Sequence, residues 1–351
     1  MKDKLKTLVI LTPGFPKNEL DTTCLPFQQQ LIKTIHNSHP SLQIIILSFQ
    51  YPFTVLEYDW HGIPVISFGG QNKGGWKRWL LWQQVKKRLS LIKNEYDIAG
   101  ILSFWCGECA LVGKKFADKH QLKHFCWILG QDAKMNNTYF KRIQPTAAEL
   151  IALSDFIQDQ VLKNHGIKPA HIIPPGIEPL LYIKKENSRT IDILAAGSLI
   201  PLKQYDVFID VIQNIKKEFP LIRAAICGDG PERDRLENEI ERSGLNNNIL
   251  LTGELPHHEV IALMQQSKIF LHPSLYEGFG VVCLEALYAG ADVISFVRPM
   301  QKSIPNWTIV DTKNEMEEKV KQLLHNNQIP IPSLEFPIKK SAEKVISLFG
   351  L

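Results

Sequence analysis

The sequence predicts an α/β protein of two domains, each built on a parallel sheet. Three observations carry that prediction: a length of 351 residues, a steady alternation of short apolar runs with amphipathic stretches, and one strongly polar interruption near the middle. So long a chain exceeds one ordinary core, and an apolar content of 44% can fill two. In the first half, apolar runs bounded by turn residues predict strands at 7–11, 44–48, 63–68, 98–103, 125–129, 149–153 and 171–173. In the second half they predict strands at 191–196, 222–227, 249–252, 269–272 and 293–296, with helices between. The polar stretch 179–189, containing Lys184, Lys185, Glu186, Asn187 and Ser188, reads as the linker. The expected organisation is therefore a first domain over 1–180, a second over 181–335, and a last helix over 336–351. That helix sets Ile338, Val345, Ile346 and Phe349 opposite its Lys and Glu residues. No internal repeat or low-complexity block is visible.

Several function classes are excluded early. No run of 18 apolar residues occurs, and the first six residues lead into a short strand instead of a signal segment, so a cytoplasmic location is expected. Six cysteines, Cys24, Cys106, Cys109, Cys126, Cys227 and Cys283, are scattered through apolar stretches, as reduced buried thiols would be. Cys106 and Cys109 have metal or redox spacing, but no second such pair or paired histidines accompany them. The net charge of +4 is unevenly split: residues 1–180 carry 21 Lys/Arg against 14 Asp/Glu, and the remainder 19 against 22. Much of the excess lies in 76–93, where Lys77, Arg78, Lys86, Lys87, Arg88 and Lys93 stand among Trp76, Trp79 and Trp82 with no acid. Trp79, Trp82, Val85, Leu89 and Ile92 form a stripe at helical spacing. That pattern suits a helix lying on an anionic membrane surface, or one that packs on the first sheet with a solvated basic face, and the sequence leaves both open. Nucleic-acid binding is not expected, because no compact basic motif with base-stacking aromatics is present.

The richest segment runs from Ser274 to Gly290. An apolar strand ends at His272-Pro273, a glycine-rich turn follows with Gly278, Phe279 and Gly280, and an apolar helix starts near Val281. Glycines admit a ligand close to the backbone, and the helix start aims free N–H groups and a positive dipole at it, which suits a diphosphate. Glu277 in the turn and Glu285 within the helix are natural acceptors for sugar or ribose hydroxyls. His257 and His258, after Pro256 at another helix start, read as capping or solvent-exposed residues. Gly228-Asp229-Gly230 lacks the third glycine of a dinucleotide fingerprint, Arg233 standing there instead. Trp105 and Glu108 are candidates for an acceptor cleft, with helix capping by Ser103 as the alternative.

This Glu-x7-Glu pattern resembles the signature of the family 4 retaining glycosyltransferases, also described as glycosyl transferases group 1. The resemblance extends, in order, to Ala196-Gly197-Ser198-Leu199 with its trailing Lys203, to Gly228-Asp229-Gly230-Pro231-Glu232, to Gly253-Glu254-Leu255-Pro256, and to Pro174-Pro175-Gly176-Ile177-Glu178. It is strong over about 150–300 and weak before that. It implies the GT-B fold, two Rossmann-like domains facing each other across a cleft, with the donor site mostly on the second, the acceptor site on the first, and the final helix, here 336–351, crossing back to the first domain.

The resemblance also implies roles. Lys203 is expected to hold the diphosphate together with Gly278, Phe279 and Gly280, Glu277 to contact the transferred sugar, and Glu285 the ribose. Gly197, Ser198, Gly253 and Glu254 complete the donor loops. The implied reaction moves a hexose or N-acetylhexosamine from a UDP- or GDP-linked sugar to a growing glycan with retention, the leaving phosphate accepting the acceptor proton, so no glycosidase-like acid–base pair is needed. The expected acceptor is lipid-linked surface polysaccharide, met at the inner membrane face. No Asp-x-Asp triplet occurs, which fits catalysis without a metal or other cofactor. Three departures stand out. Ser198 replaces the family's phosphate-binding arginine, for which Arg298 is a candidate substitute. Leu129-Gly130-Gln131-Asp132 lacks the usual histidine, leaving Asp132 as an acceptor or donor-sugar contact. Gly14 has no second glycine beside it. The alternatives are a sugar-nucleotide epimerase or hydrolase, and a non-catalytic member that binds nucleotide or partner proteins.

Overall fold

The computed structural model describes residues 4–182, 189–326 and 331–351; the polar linker residues at 184–188 lie outside them. The chain divides into two compact units, Met1–Gly176 with Ile338–Leu351, and Ile177–Pro337. The division falls earlier than the expected 180/181, for a local reason. The Ile177 N–H bonds the Phe336 carbonyl at 2.8 Å and Ile177 bridges Pro337, tying both into the second unit. Gly176 meanwhile lies so close to Ile338 that a Cβ there would sit 2.2 Å from its Cα.

The first unit runs β1 (Lys6–Gly14), α1 (Pro26–Ser38), β2 (Gln43–Tyr51), β3 (Val55–Trp60), β4 (Ile63–Phe68), α2 (Gly75–Glu95), β5 (Asp97–Phe104), α3 (Glu108–His120), β6 (His124–Ile128), α4 (Tyr139–Ile143), β7 (Leu150–Ala152), α5 (Asp155–His165) and β8 (His171–Ile172). Its sheet order is β3-β4-β2-β1-β5-β6-β7-β8, parallel except for β3 against β4. Leu8, Val9, Ile10 and Leu11 are fully buried, as expected of a central strand covered on both faces. β3 falls outside the expected strands because Val55, Glu57 and Asp59 alternate with little apolar pattern at an exposed edge. The order reverses between β1 and β5, so the loops after Gly14 and after Phe104 leave the sheet side by side.

Helix α2 buries Leu81, Val85, Leu89 and Ile92, each contributing about 2 kcal/mol, against the sheet and α3. The expected stripe is corrected at its N-terminal end. Trp79 is exposed, as are Trp76 and Leu80, because the buried face begins at Leu81. Trp82 is half-buried and donates its indole N–H to Glu108 at 2.8 Å. Ser103 does not cap α3: Gly107 holds that position, and the Ser103 hydroxyl donates to the Cys109 carbonyl and meets His124 Nε2 at 2.9 Å. The cysteines are free thiols, all buried except half-buried Cys24.

His124 makes this interior sensitive to acid. Burial holds its imidazole down at about 4, and Nδ1 has no hydrogen-bond partner among the described residues, so a second proton would be buried unpaired. The unfolded chain takes up that proton near pH 6.5 and the native chain does not. Stability is therefore expected to fall by about 3 kcal/mol as pH drops from 6.5 to 4. His124→Gln keeps a donor for Ser103 and should flatten this limb in urea titrations, whereas curves parallel to the wild type would refute the assignment.

The last helix, α11 (Ile338–Phe349), belongs to this first unit: it packs on α1, Ser341 donates to the Pro174 carbonyl at 2.8 Å, and the Phe349 ring meets Phe125 edge-on at 5.1 Å.

The second unit runs β9 (Ile191–Ala196), α6 (Tyr205–Ile215), β10 (Ala224–Cys227), α7 (Arg233–Arg242), β11 (Ile249–Gly253), α8 (His257–Gln265), β12 (Ser267–His272), α9 (Val281–Tyr288), β13 (Asp292–Ser295), β14 (Trp307–Ile309) and α10 (Lys313–His325). All its strands are parallel, in the order β11-β10-β9-β12-β13-β14. The chain moves outward from β9 to β11, then returns to place β12 on the other side of β9. One core lies under α6, α7 and α10, with Phe208, Ile209, Ile212 and Ile226 fully buried.

Candidate functional site

In open parallel sheets, ligands bind beyond the carboxyl ends of the strands where the order reverses. In the second unit that point lies between β9 and β12, whose loops contain 197–204 and 273–280. The two loops are sewn together: the Leu275 N–H and the Ser274 hydroxyl both donate to the Leu202 carbonyl, at 3.0 and 3.2 Å.

Lys203 and Glu277 meet at this point. Lys203 ends a short 3-10 turn begun by Pro201, and its ammonium lies 2.5 Å from Glu277 Oε1, each side chain keeping 17% exposure. Buried His272, at the end of β12, reaches the same oxygen through Nε2 at 3.2 Å. Burial alone would raise the Glu277 carboxyl, but the His272 bond and the Lys203 charge bring it down to about 2. Gly197 lies below, where a Cβ would press on the Tyr205 hydroxyl at 3.2 Å and on Lys203 Cε at 3.4 Å. The Tyr205 hydroxyl in turn donates to the Gly197 carbonyl at 3.1 Å.

The remaining sequence candidates fall around this centre. Gly280 caps α9 at φ 83°, a left-handed conformation natural to glycine, so the N–H groups of the first helical turn open beside Glu277. Gly278 belongs to the same turn. Phe279, expected to act through its backbone N–H, has its ring buried against Trp307 and Phe336, with centroids at 6.1 and 5.5 Å, where it serves the core. Ser198 and Glu254 are exposed at the ends of β9 and β11, and Gly253 accepts the Gly228 N–H at 2.9 Å. Arg298 is exposed beyond β13, one strand on from β12. Glu285 is held by His257 Nε2 at 2.7 Å. The reading of His257 as capping or solvent-exposed is thereby corrected: its side chain turns inward to α9, while that of His258 is exposed.

The first unit holds the other two candidates. Gly14 ends β1 at the reversal of that sheet, 3.4 Å below the Tyr51 Cβ as measured from an added Cβ. Asp132 is spent on backbone: it accepts the N–H groups of Leu129, Gly130 and Cys106 at 3.1, 2.8 and 2.8 Å. Burial raises its carboxyl to about 6 although those three bonds pull the other way. The expected sugar contact gives way to a brace between the loops after β5 and β6. Glu108 likewise faces inward, bonded by Gln50 and Trp82. Among the described residues no group of three or more His, Cys, Asp or Glu is arranged to hold a metal ion.

Residues 181–343 match the model of a family described as glycosyl transferases group 1. These residues belong to that family. The second unit is thus a group 1 domain in which Lys203 meets Glu277 and Glu285 meets His257. Among solved structures, the chain resembles HepE of Anabaena in complex with UDP-glucose, at 18% identity and TM-score 0.74 over 98% of this chain and 99% of that one. It also resembles WaaG, a glycosyltransferase involved in lipopolysaccharide biosynthesis, at 16% identity and TM-score 0.67 over 99% and 97%. The chain has the GT-B fold. Among curated relatives, it is 31% identical over 156 residues to 2-deoxystreptamine N-acetyl-D-glucosaminyltransferase of Niallia circulans, covering 44% of this chain and 38% of that protein. It is 25% identical over 181 residues to a phosphatidylinositol N-acetylglucosaminyltransferase subunit from Arabidopsis thaliana, covering 50% and 40%. These matches span well under two thirds of either relative.

Proposed function

We propose that this chain is a retaining, metal-independent glycosyltransferase that moves a hexose or N-acetylhexosamine from a UDP- or GDP-linked sugar to a lipid-linked surface glycan at the cytoplasmic face of a membrane. The observation that carries the reading is the Lys203–Glu277 pair at the reversal of the second sheet, beside the start of α9. There the lysine and helix dipole can neutralise the diphosphate as it leaves, and a carboxylate held ionised can orient sugar hydroxyls without donating a proton. HepE and the pneumococcal O-GlcNAc transferase GtfA were both solved with UDP, which favours a UDP-linked donor. Glu285 would take the ribose. In the first unit, exposed Trp76, Trp79 and Leu80 beside Lys73 and Lys77 support docking to anionic lipid.

The test is thermal stabilisation by UDP, GDP, CMP and ADP and their sugars. UDP or GDP should raise the melting temperature of the wild type, and Glu285→Ala should abolish the shift. No shift with any nucleotide at millimolar concentration would reject the donor site. Stabilisation without turnover would favour the non-catalytic reading, which exposed Ser198 in the arginine's place supports. Sedimentation with phosphatidylglycerol vesicles should capture the wild type and release a Trp76→Ser/Trp79→Ser variant; equal recovery would remove the membrane assignment.

A further inference from the structure

The group 1 domain holds a pair that the donor-site reading does not require. His257 opens α8, four residues past the end of β11, and its Nε2 lies 2.7 Å from Glu285 Oε1 on α9; the two side chains keep only 13% and 14% exposure. Behind them, the Tyr182 hydroxyl is enclosed with no hydrogen-bond partner among the described residues, its ring edge-on to Tyr288 at 4.6 Å. Burial, and then the Glu285 charge, push the Tyr182 phenol well up, so it adds no negative charge to the group.

We propose that His257 is a positioning residue for the nucleoside end of the donor, holding one oxygen of Glu285 so that the other meets the ribose hydroxyls in one fixed orientation. This rests on the donor-site reading above. A carboxylate free to turn would lose side-chain entropy on each binding event and present its lone pairs in several directions. Held by a 2.7 Å bond, it is already set. Because Glu285 accepts at Nε2, the neutral imidazole carries its proton there and keeps the bond after losing its charge.

The charge itself has a consequence. Burial alone would lower the His257 imidazole, but the bond and charge of Glu285 raise it above its usual range. Glu285 faces it from α9; Glu254, His258 and Glu259 on its own segment are exposed. Asp192 and Lys268, on the strands β9 and β12 that α8 also packs against, sit at the opposite ends of those strands and bond each other at 2.8 Å. Protonated His257 cancels the Glu285 charge beside an anionic ligand; neutral His257 leaves it bare. Nucleotide affinity is therefore highest below the raised imidazole value and falls as pH climbs through it.

Calorimetric titration of UDP, GDP and pyrophosphate into the wild type, His257→Ala and His257→Gln at pH 6 and 8.5 tests this. For the nucleotide that binds, His257→Ala should weaken affinity about tenfold, or about 1.4 kcal/mol, at pH 8.5, where the wild-type imidazole is neutral, and there leave pyrophosphate, which has no ribose, unchanged. His257→Gln, which keeps a donor for Glu285, should recover most of the loss and remove the extra weakening that the wild type shows at pH 8.5. Equal nucleotide affinity in wild type and His257→Ala would overturn the inference, as would equal losses for nucleotide and pyrophosphate at pH 8.5, which would report a general collapse of the unit. A wild type that binds none of the three probes would instead reject the donor site itself.

Discussion

Lys203→Met is expected to lower sugar transfer by about two orders of magnitude or more, the usual cost of removing one preplaced donor from a developing anion. It should also destabilise the second unit. Among the described residues Glu277 would keep His272 alone beside its carboxylate, in a place where Lys203 and Glu277 each have 17% exposure. Breaking a buried pair on one side costs about 3–5 kcal/mol, and residual solvent contact puts this pair at the lower end. The acid limb gives an independent readout. With its carboxyl at about 2, against a usual value of 4.5, ionised Glu277 contributes stability above pH 4.5 that disappears as pH falls toward 2. Without the lysine charge the folded carboxyl rises toward its usual value, so that loss should be smaller and be complete at higher pH. A variant with wild-type turnover and an unmoved acid limb would mean that Lys203 and Glu277 are a surface pair with no part in the reaction.

Gly228→Ala is expected to be the most damaging single-methyl change in the second unit. Gly228 sits at φ 147°, and a Cβ there would lie 2.0 Å from the Gly197 carbonyl oxygen, a backbone atom with no freedom to retreat. That carbonyl is pinned by the Tyr205 hydroxyl, while the Gly197 N–H bonds Cys227 and the Gly228 N–H bonds Gly253, both at 2.9 Å. Relieving the clash means pulling apart the loops after β9, β10 and β11 together. We expect a loss of about 4 kcal/mol or more, a melting temperature about 10 °C lower, and no nucleotide-induced stabilisation. Gly244→Ala is the control: φ is 64° but nothing lies within 4 Å, so backbone strain alone should cost about 1 kcal/mol. Equal effects at the two positions would show that the close approach at Gly228 is not what the site depends on.

Much of this architecture was legible because parallel sheets bury both faces of their strands. Ile63–Phe68 and Ile191–Ala196 are mostly apolar runs, interrupted only by Pro64, Ser67 and Asp192, with turn residues beyond them, and the structure gives them those bounds. β3 and β14 escaped, one because its residues face solvent at an edge, the other because Trp307–Ile309 is too short for a pattern. Within the site, Lys203, Glu277 and Glu285 carried a motif. His272 was visible only as the end of a strand, and His257 as one of two adjacent histidines. Nothing local distinguishes His257 from His258; only the packing of α8 on α9 turns the first inward. Asp132 misled for a related reason, since a carboxylate at a strand end looks the same whether it awaits a ligand or braces three N–H groups. Trp79 fell on a helical stripe whose buried part starts two residues later.

The place of α11 sets an order of events during synthesis. The first unit takes its last buried residues, Ile338, Ala342, Val345, Ile346 and Phe349, from the far end of the sequence, after the whole of the second unit. Phe349 lies over Gly100, where even a Cβ would come within 2.3 Å of the ring, so no other side chain stands in for it on β5. The first unit can therefore be completed only after residues 177–337 have been made, which runs against the usual N-terminal-first order of folding. Loss of α11 would act on the unit that was translated first.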